Sequence, residues 1–80
     1  MGLNDPGLTN ILLYPNPTSE ILNISTELNN FKIEIFDLIG KKIFETTNSK
    51  LVNTDEFDNG IYLLKISHGM YSQSKLFIKK

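Results

Sequence analysis

Eighty residues carry eight basic and nine acidic side chains, one histidine and no cysteine. A chain of this length builds one modest core, and without cysteine it has no disulfide framework. The net charge of −1 lacks the basic surplus of a nucleic-acid footprint and gives no pull toward an anionic membrane surface. No apolar run approaches the ~20 residues of a membrane span.

Met1-Gly2-Leu3-Asn4-Asp5-Pro6 has neither the basic start nor the long apolar segment of a signal peptide. Residues 1–9 therefore read as an added start followed by a linker remnant rich in Gly, Asn, Asp and Pro, and residues 10–80 as the domain proper. From there the apolar pattern has period two, the mark of strands. Residues 10–14 form a short first strand. It ends at Tyr14-Pro15-Asn16-Pro17-Thr18-Ser19, where each proline fixes its own φ, lacks an N–H and pushes the residue before it toward extended backbone. This stretch reads as a corner between strands. Residues 20–26 follow, with Leu22 and Ile24 on one face. In residues 31–38, Phe31, Ile33 and Ile35 alternate with Lys32 and Glu34, so one face is buried and the other solvated. Gly40 turns the chain into residues 41–47, and Val52 and Thr54 mark a weak fifth strand. Residues 61–67 place Tyr62, Leu64 and Ile66 inward. After the His68-Gly69-Met70 turn, residues 72–79 form the last strand.

Seven short strands with Pro, Asn and Gly punctuation, and no window of helical periodicity, predict an all-β fold. The architecture expected is an immunoglobulin-like antiparallel sandwich. Its core should hold Leu22, Ile24, Ile33, Ile35, Ile43, Val52, Tyr62, Leu64 and Ile66. Phe36, Phe44 and Phe77 stand out of phase with these and are candidates for an exposed patch.

The sequence is poor in catalytic and metal-binding chemistry. His68 is a lone histidine in a turn, which points to solvation rather than catalysis. One histidine and no cysteine do not make a zinc site. Asp55, Glu56 and Asp58 do not follow calcium-loop spacing, since the twelfth position counted from Asn53 is Leu64. They read as a polar turn before Gly60. Asn23-Ile24-Ser25 matches a glycosylation acceptor, but it falls inside a predicted strand. The expectation is a domain without cofactor, metal or enzymatic activity of its own.

Four segments carry more: Leu13-Tyr14-Pro15-Asn16-Pro17-Thr18, the run from Ile33 through Phe36-Asp37-Leu38-Ile39-Gly40-Lys41-Lys42-Ile43, Phe57-Asp58-Asn59-Gly60-Ile61-Tyr62, and Lys75-Leu76-Phe77-Ile78-Lys79-Lys80. In this order and spacing the chain resembles the C-terminal sorting domain of the type IX (Por) secretion system, type A, over nearly its whole length. It departs from the pattern at Phe57, where leucine is usual, and at Thr54, where an apolar residue is common. The glycines and prolines have physical readings as turn and corner residues.

The resemblance implies a secretion signal: a domain fused to an upstream cargo, exported to the periplasm and read by the outer-membrane secretion machinery. A sortase-like peptidase would then remove it, leaving the cargo at the cell surface or outside. It marks Tyr14, Pro15, Asn16, Pro17, Asp37, Gly40, Lys41, Gly60, Tyr62, Lys75, Lys79 and Lys80 as motif or recognition residues. Lys79 and Lys80 are expected to be solvated, and an edge strand is open to pairing between copies. The alternative reading is a small adhesion or carbohydrate-binding sandwich.

Overall fold

The computed structural model describes residues 11–80. The linker reading of residues 1–9 and the predicted strand start at Asn10 lie outside them. The described chain is seven strands with no helix: β1 (Leu12–Tyr14), β2 (Ile21–Ser25), β3 (Lys32–Phe36), β4 (Lys42–Thr47), β5 (Leu51–Asn53), β6 (Gly60–His68) and β7 (Tyr71–Lys79). They form two antiparallel sheets, ordered β1-β2-β5 and β4-β3-β6-β7. This is the expected sandwich.

The period-two pattern explains the packing. Leu22, Ile24 and Val52 face inward from the smaller sheet; Ile33, Ile35, Tyr62, Leu64, Ile66 and Phe77 face them from the larger one. Ile11 and Phe31 close the core. Buried hydroxyls are satisfied as burial demands. Thr54, fully buried at a position where the sorting-domain pattern commonly has an apolar residue, donates its hydroxyl to the Glu20 carbonyl (2.8 Å). Thr18 donates to the Ile21 carbonyl (3.0 Å).

Two core expectations are corrected. Ile43 is not in the core: it stands 37% exposed. Ile35 pairs with Phe44 but Phe36 pairs with Lys42, so Ile43 is the extra residue of a bulge. The inward phase of β4 belongs to Phe44, which packs on the core, and to Thr46. Phe77 is fully buried rather than exposed. It pairs with Tyr62 across β6 and β7 and shares that residue's inward face.

Turn chemistry sets the corners. Between β3 and β4, the Asp37 carboxylate accepts the N–H groups of Ile39 (3.0 Å) and Lys41 (2.9 Å), and Gly40 takes φ +91°. Between β6 and β7, the two-residue loop has Gly69 at φ +61° and Met70 outside the positive range, the pattern of a type II′ hairpin.

Candidate recognition surface

The prolines of the 14–19 corner frame a clasp. Asn16 lies beside the far end of β7, where its side-chain amide donates to the Leu76 carbonyl (3.4 Å) and its carbonyl oxygen accepts the Ile78 N–H (2.9 Å). Two residues on, the Thr18 N–H donates to the Ile78 carbonyl (2.8 Å) and the Lys80 N–H donates to the Thr18 carbonyl (2.9 Å). Thr18 and Lys79 thus form a parallel bridge. A proline has no N–H to offer an edge, so Asn16 and Thr18, rather than Pro15 and Pro17, do the bonding.

Lys79 corrects the expectation of a solvated terminus. It is buried, because its position shares the inward phase of Phe77, and its ammonium donates to the Phe57 carbonyl (3.2 Å). The long stem follows the sandwich interior while the charge reaches a backbone acceptor. Lys80 is exposed as expected. Gly60 pairs with Lys79 across β6 and β7. Beside them runs a chain of rings: Phe44 to Phe57 (centroids 6.2 Å), Phe57 to Tyr62 (5.4 Å) and Tyr62 to Phe77 (5.6 Å). The Tyr62 hydroxyl donates to the Asp58 carbonyl (2.5 Å). Burial first, then the charges of Asp58 and Asp37, push its phenol above the ordinary value.

The first, third and fourth motif segments therefore meet at one end of the sandwich, through Asn16, Gly60, Tyr62, Lys79 and Lys80. Asp37, Gly40 and Lys41 make the β3–β4 turn, and Asp37 reaches the same end, lining a groove with Tyr62. Lys75 and Asn16 line a second groove, between Ile11–Leu13 and β7. Tyr14 is exposed on β1, where its carbonyl accepts from the Asn23 amide (3.2 Å). His68 closes β6, with Nδ1 2.6 Å from the Asn30 carbonyl.

The outer face of the larger sheet divides in two. Phe36, Leu63 and Leu76 form one cross-strand row, and Ile61 and Ile78 form the next. Leu76, Ile61 and Ile78 are exposed, Phe36 and Leu63 half-buried. In the turn after Phe36, Leu38 is 69% and Ile39 89% exposed. The other half is charged: Glu34 and Glu45 lie directly opposite each other, and Lys32 and Lys42 bridge both. Of the anticipated exposed patch, Phe77 is buried, Phe44 packs on the core and Phe36 is only half-buried; the exposed apolar residues beside Phe36 are aliphatic. Their signal was in Ile61-Tyr62-Leu63-Leu64, apolar in both phases, which marks a strand with two apolar faces.

The model of the secretion system C-terminal sorting domain matches residues 12–80. The chain belongs to this family. No curated protein matches it. A sorting domain of the type IX secretion system is thus built here as a sandwich whose motif segments fold onto one another. Among its described residues no group of three or more His, Cys, Asp or Glu side chains is placed to hold a metal ion.

Proposed function

We propose that this type A sorting domain is the address label of a cargo protein fused upstream of it. The outer-membrane machinery reads the domain as a folded object after export to the periplasm, and a sortase-like peptidase removes it. The observation that carries this reading is the clasp: Asn16 and Thr18 bond the Leu76–Lys80 stretch, and Lys79 points inward to the Phe57 carbonyl. Residues spent on internal bonds are poor linear readouts, so recognition falls to exposed surface. The contiguous apolar face of exposed Ile61, Leu76 and Ile78 with half-buried Phe36 and Leu63 supplies one, since such patches mark protein contacts. Its exposed members, Ile61, Leu76 and Ile78, are aliphatic, and a lone half-buried Phe36 is no row of ring platforms for a sugar, which disfavours the carbohydrate-binding alternative.

The same strand offers a route to pairing between copies. Ile78 turns its N–H and carbonyl away from β6, so strand alternation aims the backbone groups of Ser72 and Ser74 at the open edge.

Fused to a periplasmic reporter in a host with this secretion system, residues 10–80 should bring the reporter to the cell surface. A reporter retained in the periplasm would overturn the reading.

A further inference from the structure

At the clasp end lies a groove of about 610 Å³, lined by Ile43, Phe44, Phe57 and Tyr62 and rimmed by Asp37, Asn53, Asp55, Glu56 and Asp58. The β4 bulge makes it, because Ile43 and the neighbouring Phe44 both reach its wall. Among the described residues no basic side chain lines it. Lys79, close to it in the fold, is turned inward to the Phe57 carbonyl, and Lys42 is engaged by Glu34 and Glu45. Asp37 is committed to its turn through one carboxylate oxygen, whereas the carboxylates of Asp55, Glu56 and Asp58 take part in no hydrogen bond or ion pair among the described residues. Glu34 and Glu45 on the sheet face are, by contrast, each bridged by two lysines. Uncompensated negative charge is therefore gathered around an aromatic wall.

We propose that this groove docks an arginine-bearing segment of a protein partner. A guanidinium is planar, so it stacks on the Phe57 ring, which meets Phe44 edge-on, and forks to carboxylates at the rim. An ammonium satisfies the charge but not the stacking. A purely apolar occupant would desolvate three carboxylates without pairing them, and an anionic one would be repelled. The groove's chemistry stands independently of the transport reading, and its test reads binding alone.

The test is an amide chemical-shift titration of the domain with a capped tri-arginine peptide, repeated with capped tri-lysine. The expected result is saturable shifts confined to residues 37–44 and 53–62, with arginine binding about threefold tighter than lysine. The Asp55→Asn/Asp58→Asn variant removes two carboxylates without touching a bond of the fold, so it should keep the parent Tm and bind at least about fivefold more weakly. Phe57→Leu should erase the preference for arginine over lysine. No saturable shift would overturn the proposal. So would shifts spread over the whole surface, equal for both peptides and unchanged in the Asn variant, which is general charge attraction.

Discussion

The Tyr62 hydroxyl can hold the Asp58 carbonyl only while it is protonated. Its folded pKa lies above the ordinary 10.0, for burial first and the charges of Asp58 and Asp37 after it. For an acid raised in this way the folded state holds the proton more tightly. The stabilisation is complete below the unfolded pKa, about 10, and is lost as pH rises through the folded one. Tyr62→Phe should lose about 1 kcal/mol at neutral pH, and the gap to the parent should narrow above about pH 10, as urea melts across pH 8–11 would show. A constant gap would mean that the hydroxyl is not the titrating group. Lys79 answers to a different argument. Lys79→Ala strands the Phe57 carbonyl and removes a buried stem. A loss of about 1–3 kcal/mol is expected in urea unfolding, where a solvated lysine would give under about 1. Neither role was visible in the sequence: "Ile78-Lys79-Lys80" has the look of a charged tail, and only the phase of Phe77 shows that Lys79 points inward.

The strands themselves were largely legible, because alternation in Ile33 and Ile35 or in Tyr62, Leu64 and Ile66 is what a half-buried sheet requires. Legibility failed where regular alternation did. The β4 bulge shifts the partner of Phe36 from Ile43 to Lys42, and nothing in Lys41-Lys42-Ile43-Phe44 announces an extra residue. In β7, Leu76, Phe77 and Ile78 are apolar on both faces, so the buried one is decided by pairing with β6 rather than by pattern. The turns were readable through Gly40 and Gly69, but the clasp was not, since Asn16 and Ile78 are separated by most of the chain. A pair of substitutions tests this assignment. Ile33→Ala, in the core, should cost about 2–5 kcal/mol, whereas Ile43→Ala, on the bulge, should cost less than about 1.5. With roughly 4–12 kcal/mol in hand for a domain of this size, the first approaches the limit of folding and the second does not. Equal losses in thermal melts would place Ile43 back in the core.

At the scale of the molecule, the motif segments that carry the family resemblance do two things. Asn16, Gly60, Tyr62 and Lys79 tie the sandwich together at one end. Phe36, Leu38, Ile39, Ile61, Leu76 and Ile78 leave apolar surface in water, at some expense in solubility and no gain in folding. A sorting domain read as a folded surface needs both, whereas a domain read as a linear tail needs neither. Surface delivery of a fused reporter, measured beside the melting temperature of the domain, separates the two accounts. The Leu38→Ser/Ile39→Ser/Leu76→Ser variant changes side chains that are 69%, 89% and 58% exposed. It should keep its Tm within about 4–8 °C of the parent, the shift expected from 1 kcal/mol in a domain of this size, and leave the reporter in the periplasm while the parent domain delivers it. Delivery of the triple variant at the parent's level, with the Tm unchanged, would contradict the claim that the exposed apolar face is what the machinery reads.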